Sequence, residues 1–267
     1  MAEQDGGHHH AHQSAHGAES SWSHYWEEHS FSKAWSAMSE LVLDVLKNEA
    51  KPFEGRRILE AGAGSGRISL RLAILGARVA AIDTAPQAIK HIREIFQNEG
   101  VGADISEGSI YEIPFPDGVF DVVWNAGVLE HFTPEEQTLA LREMSRVCRP
   151  GGLVLTLNPY RFSLLYRLGK WLSERLGMWP YGYEQPVGSI AAAAPRETLS
   201  LVREYSTGFF IVLIQAFRIF SVTAPATQRL SDGLLRERDG FLARLDRVFS
   251  RLCGGYLLVS CFRKSKP

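Results

Sequence analysis

Neither a cysteine framework, nor a long apolar run, nor an excess of one charge marks this chain. Its three cysteines, Cys148, Cys253 and Cys261, make no CxxC pair and no framework spacing, which reads as buried thiols in a reducing compartment and makes the cytoplasm the expected location. Opposite charges nearly cancel, 29 Lys+Arg against 30 Asp+Glu for a net charge of -1, so no global field draws the protein to polyanions and no nucleic-acid partner is expected. The longest apolar stretch, residues 208–222, contains Gln215 and Arg218 and stops short of the ~20 apolar residues that span a bilayer. Contact with a membrane surface stays open. The polar, His-rich start lacks the apolar run of a secretion signal.

What is present is the composition of a folded protein, 45% hydrophobic and 22% charged over 267 residues, enough for one main domain. Residues 1–21, rich in His, Gly, Ala, Ser and Gln without a hydrophobic period, read as a disordered tail. Its imidazoles, among them His8, His9, His10, His12 and His16, are able to capture a transition metal, but a tract without preorganised geometry is expected to be silent, and no metal site is assigned. From Trp22 the apolar residues recur at helical intervals through Leu46, predicting two amphipathic helices over 22–51. Their aromatic face either packs on the core or closes over a ligand.

After Pro52 short apolar runs alternate with longer helical patterns, the signature of βα units around a parallel sheet. Strands are predicted at Arg57–Ala61, Ala77–Ile82, Ala103–Glu107, Val119–Trp124 and Leu153–Leu157. The helix expected over Pro134–Val147 opens with Thr133, Pro134 and Glu136 in capping-box spacing. A core over 52–158, an insertion over 159–207 and C-terminal strands and helices over 208–267 complete the expected single domain of residues 22–267. A helix is predicted over Pro195–Tyr205 and a sixth strand near Gly208–Val212.

The chemistry centres on Glu60-Ala61-Gly62-Ala63-Gly64-Ser65-Gly66, an acid at a strand end followed by three alternate glycines and a helix. Glycine is needed there because a tight strand-to-helix turn uses positive φ, and because a missing side chain lets a ligand approach the backbone. A dinucleotide fingerprint would place a third glycine where Arg67 stands. Asp83, 23 positions after Glu60 at the end of the second strand, is placed to accept hydrogen bonds from both ribose hydroxyls of an adenosine, or else to cap the following helix at Thr84.

The tight G-x-G-x-G loop behind an acid resembles that of class I S-adenosylmethionine-dependent methyltransferases, and the resemblance runs over about residues 56 to 160. It takes in Gly108-Ser109-Ile110 with Pro114-Phe115 and Phe120-Asp121, the loop Asn125-Ala126-Gly127-Val128-Leu129-Glu130-His131 with its L-E-H ending, and Arg146-Val147-Cys148-Arg149-Pro150-Gly151-Gly152. It implies a seven-stranded, mostly parallel Rossmann-like α/β sheet with helices on both faces and an antiparallel last strand at Gly255–Phe262. It also implies S-adenosylmethionine as cofactor, held by Glu60, Gly62, Ala63, Gly64, Gly66, Asp83, Thr84, Ser109, Ile110, Asn125 and Leu129. Ser109 replaces the aspartate usual in the family's adenine segment, and Asn125 is expected to contribute an amide contact and Leu129 packing.

The acceptor is expected to be a small, hydrophobic or aromatic molecule. His131 is a candidate general base because its ordinary pKa lies near neutrality, or else it organises the loop. The insertion carries the amphipathic run from Phe162 to Leu172, either a cap over the acceptor or a helix with a solvated basic face, and then Tyr181, Tyr183 and Glu184 as acceptor-side polar candidates. Residues 209–220 read as core, with a lipid-facing patch as the alternative. A scaffold that binds cofactor without turnover, and a dinucleotide-dependent oxidoreductase, remain as competing readings; oligomeric state is left open.

Overall fold

The computed structural model describes residues 35–177, 184–212 and 241–266, the side chains of 241–243 excepted. The expected His-rich tail, the first of the two N-terminal helices and most of the 209–220 stretch lie outside them.

Helix α1 (Ala37–Ala50) starts at Ser36, whose hydroxyl accepts the Ser39 amide, and buries Leu41, Val42, Val45 and Leu46 at the spacing of one helix face. There follow β1 (Arg57–Ala61), α2 (Arg67–Ile74), β2 (Arg78–Asp83), α3 (Pro86–Asn98), β3 (Asp104–Glu107), β4 (Phe120–Ala126), α4 (Pro134–Val147), β5 (Cys148–Pro159), α5 (Leu164–Arg175), β6 (Leu199–Thr207), α6 (Phe241–Cys253) and β7 (Leu257–Lys264). The capping box closes as the spacing predicts: Glu136 N donates to Thr133 Oγ1 at 3.3 Å while Thr133 N donates to Glu136 Oε2 at 2.8 Å.

The strands pair in the order β3-β2-β1-β4-β5-β7-β6. Strands β1 to β5 are parallel, and β7 runs antiparallel between β5 and β6. Alternate residues of each central strand face opposite layers, so Ile58 and Trp124 join the cluster formed with α1, α2 and α3, whereas Leu59 and Val123 join that formed with α4. Order reverses between β1 and β4, and in such sheets ligands bind in the crevice beyond the carboxyl ends at the reversal.

Three readings of the C-terminal third are corrected. The sixth strand is Leu199–Thr207, where a helix was predicted, and the chain turns helical at Phe209–Val212, where the strand was expected. Residues 199–207 therefore belong to the sheet and not to the insertion. This edge strand is largely exposed or half-buried, so it lacks the strict alternation that identifies a strand from sequence, and it is defined by its hydrogen bonds to β7. Cys148 and Cys261 are buried, and their thiols are pushed up to about 12, mainly by desolvation, but Cys253 is exposed. Among the described residues no helix is long and apolar enough to cross a membrane.

Candidate cofactor and acceptor site

The loop after β1 is tied to β2 before any ligand is considered. Gly62 N and Ala63 N both donate to the Ile82 carbonyl at 2.9 Å, and Gly66 N donates to Ala63 O at 2.8 Å. Two of the three glycines admit the chain itself. A Cβ on Gly62 (φ +82°) would lie 2.7 Å from Val128 Cγ2 in the loop after β4, and one on Gly66 (φ +63°) would lie 2.6 Å from Ile92 Cγ1 on α3. The glycine spacing expected to line a cofactor thus also lets the loop after β4 and helix α3 close on the turn. Helix α2 begins at Gly66 with no side chain capping its first amides.

Asp83 is nearly buried, yet its carboxylate accepts Gly64 N at 2.7 Å on Oδ2 and Ala85 N at 2.9 Å on Oδ1, with the Thr84 amide also bonded to it. The ribose-binding and helix-capping roles are therefore compatible. Each oxygen retains lone-pair capacity beyond the amide it holds, and together they can accept two vicinal hydroxyls. Burial raises the Asp83 pKa and these amides oppose the rise.

Glu60 stands beside it at the end of β1, buried, with Ser69 Oγ donating to Oε2 at 2.5 Å. Desolvation, with Asp83 adding to it, pushes its carboxyl up to about 8. The groups acting on Glu60 are Ser69 and Asp83, neither of them cationic. A ligand bearing positive charge would supply a counter-charge there, and S-adenosylmethionine, with its sulfonium and ammonium groups, fits this acid pair and the glycine turn.

The sign of the pH effect follows. A carboxyl with a folded pKa above its unfolded value keeps its proton longer in the folded state, so stability falls as pH rises from about 4.5 to about 8, by at most ~1.4 kcal/mol per pH unit for one group. Denaturant unfolding of the ligand-free protein across that window should show this decline, and Glu60→Gln should flatten it in part. A slope unchanged by the substitution would assign the titration elsewhere.

The residues expected on the adenine side are held by the protein's own contacts. Gly108 N donates to Asp83 O at 3.1 Å, Ser109 Oγ accepts Tyr111 N at 3.1 Å, and Ile110 is buried in the cluster that contains fully buried Leu129. The following segment is clamped by α4: Arg146 donates to the carbonyls of Ile113 and Phe115 and pairs with Glu143 and Asp117, while Glu143 Oε2 accepts Ile113 N at 3.0 Å. The sequence reading did not identify this clamp, which bridges about thirty positions. The Asn125 side chain is fully buried, with Nδ2 3.5 Å from Met144 Sδ on α4, while its Oδ1 has no hydrogen-bond partner among the described residues.

On the expected acceptor side, the turn Leu129–His131 holds Glu130 enclosed, with Oε2 lacking a hydrogen-bond partner among the described residues. His131 Nε2 lies 4.0 Å from Glu130 Oε1, and both side chains are almost wholly enclosed. Across from them, Tyr166 of α5 donates its hydroxyl to Glu184, and Gln185 N donates to Glu130 O at 2.8 Å. Desolvation and then the Glu184 charge hold Glu130 well above the ordinary carboxylate range; desolvation also raises Glu184, against the Tyr166 bond and Lys170. Of the predicted acceptor-side residues, His131 and Glu184 thus border one buried cluster, whereas Tyr181 and Tyr183 lie outside the described residues. Tyr166, within the amphipathic run of the insertion, is the addition; its phenol is found by the fold and not by any local motif.

A sheet reversing at β1/β4, a glycine turn bonded to an acid at the end of β2, and a buried acid at the end of β1 define a nucleoside-binding Rossmann-like protein. A methyltransferase-domain family model matches residues 59–156. The chain is 30% identical over 222 residues to a malonyl-[acyl-carrier protein] O-methyltransferase of Erwinia pyrifoliae, covering 80% of this chain and 79% of that protein. It is 35% identical over 183 residues to an uncharacterised protein of Mycobacterium tuberculosis, covering 66% of this chain and 61% of that relative. The solved geranyl diphosphate methyltransferase in complex with S-adenosylmethionine has the same fold, with a TM-score of 0.56, 12% identity, and coverage of 84% of both chains. The chain belongs to the class I S-adenosylmethionine-dependent methyltransferases, and S-adenosylmethionine is its cofactor.

Proposed function

We propose that this protein transfers a methyl group from S-adenosylmethionine to a small, hydrophobic or aromatic acceptor. The observation that carries the reading is the convergence of Glu60, Asp83 and the Gly62–Gly66 turn, with Asp83 bonded to the turn at 2.7 Å, at the sheet reversal. When bound, S-adenosylmethionine supplies an electrophilic methyl on a positively charged sulfur. The residues then have three tasks. Asp83 accepts the ribose hydroxyls while holding Gly64, Glu60 offsets positive charge, and Ile110 and Leu129 supply apolar packing to the adenosine side. No nucleophilic side chain is required, since alignment and exclusion of water meet most of the demand.

The enclosed Glu130, His131, Tyr166 and Glu184 border the acceptor in this reading. His131 takes the proton when the acceptor atom bears one, and Glu130 holds the imidazole. Tyr166 packs edge-on against Tyr256, 4.8 Å apart between ring centres, and this aromatic wall beside the cluster favours an apolar or aromatic acceptor over a highly charged one. The relative from Erwinia pyrifoliae is named for a carrier-protein-bound malonyl acceptor, so acceptors tethered to a carrier belong in any screen.

The test is calorimetric titration with S-adenosylhomocysteine and, separately, NAD, followed by incubation of the enzyme and methyl-labelled cofactor with a fractionated cell extract. Saturable binding of S-adenosylhomocysteine and label appearing in the small-molecule fraction are expected. Binding of NAD alone would overturn the cofactor assignment, and label confined to macromolecules would overturn the acceptor class.

A further inference from the structure

The inner face of α5 delivers Tyr166 to the buried acids, but its outer face is exposed among the described residues. Leu164, Leu168 and Trp171 recur at helical spacing along it and are 72%, 56% and 52% exposed. Helix α6 repeats the arrangement with Val248 and Leu252, the latter 76% exposed. The end of α6 reaches the start of α5: a Cβ on Gly254, just past α6, would lie 2.5 Å from the carbonyl oxygen of Phe162, just before α5. Single exposed apolar residues are ordinary, but stripes of large ones on two helices whose ends adjoin call for an occupant.

Charge identifies it. Arg161, Arg167 and Arg175 flank the first stripe and Arg244, Arg247 and Arg251 the second, all six exposed. Arg175 also stacks over Trp171, with 5.3 Å from the guanidinium carbon to the ring centroid. The exposed acid nearby, Glu174, is taken up by Lys170 at 2.5 Å. Six exposed arginines on or beside these two helices, in a chain whose net charge is -1, represent a local concentration of charge and not a basic protein overall. A row of Leu, Val and Trp between arginines is the chemistry of a helix lying in the boundary between lipid headgroups and acyl chains, where the apolar row enters the membrane and the guanidinium groups meet anionic phosphates.

We propose that the exposed faces of α5 and α6, whose ends adjoin, form a docking surface for an anionic lipid bilayer. Docking presents the other side of α5, where Tyr166 meets Glu184, inward, so a membrane-dissolved acceptor would need to travel only past one helix. The docking surface stands apart from the methyl-transfer reading, because its residues lie outside the glycine turn and its acids.

The experiment is co-sedimentation of the full-length protein with phosphatidylcholine vesicles, with and without phosphatidylglycerol, at low and high salt. Binding only to the anionic vesicles, weakened by salt, is expected. Leu168→Glu and the pair Arg244→Glu/Arg247→Glu should each reduce it, the latter by at least about fivefold for each arginine removed. S-adenosylhomocysteine binding by the same variants serves as the control for folding, and it should not change. Absence of vesicle binding by a protein that still binds S-adenosylhomocysteine would overturn the proposal. So would vesicle binding indifferent to both variants, or a stable dimer or an acidic carrier protein that occupies this face in place of lipid.

Discussion

Asp83→Ala should weaken S-adenosylhomocysteine binding by about 100-fold or more in a calorimetric titration. Two hydrogen bonds from ribose hydroxyls to an ionised carboxylate are lost, and bonds to charged groups contribute roughly 1.5–3 kcal/mol each. The same carboxylate holds Gly64 N at 2.7 Å and Ala85 N at 2.9 Å, so the substitution also frees the turn and the start of α3. Asp83→Asn separates the two contributions. It preserves shape and one carbonyl acceptor, and should lose only about tenfold if one charged bond is exchanged for a weaker contact. Affinity of the alanine variant within about twofold of the parent would show that Asp83 serves the helix cap alone.

Gly62→Ala is the second large effect, and it arises from the protein's own packing. The added Cβ would sit 2.7 Å from Val128 Cγ2, and valine, branched at Cβ, has few alternative rotamers with which to yield. Overpacking of this kind costs roughly 1–3 kcal/mol, and holding a non-glycine residue at φ +82° adds about 1 kcal/mol or more. The variant should unfold at lower denaturant and bind S-adenosylhomocysteine weakly, because Val128 begins the turn that leads to Leu129 and Glu130. Adding Val128→Ala removes the steric part and should recover much of the loss, while the dihedral part persists. A double variant no better than Gly62→Ala alone would place the whole defect in the backbone or in direct contact with ligand.

Much of the cofactor side was legible because its signals are local. The acid and three glycines occupy seven consecutive positions, and the closed capping box at Thr133 and Glu136 depends on residues three apart. Asp83 was legible because strand, turn and helix set its distance from Glu60. The surroundings of the Asn125 side chain were not legible: its place in the loop motif is visible, but its contact depends on the pleat of β4 and the arrival of Met144 from α4. Strand β6 was read as helix because edge residues exposed on both faces carry no clean period of two.

By itself the sequence determined the βα succession, the glycine turn with its two acids, and the family those residues resemble. Such features depend on backbone preferences and on contacts a few positions apart. Tertiary structure alone decided that Glu130 is enclosed opposite Glu184, that Tyr166 reaches that acid from α5, that Arg146 clamps the segment after Ser109, and that the end of α6 reaches the start of α5. Those relations join residues tens of positions apart. Their energies depend on desolvation and on which surfaces meet, and both are set only once the sheet has closed.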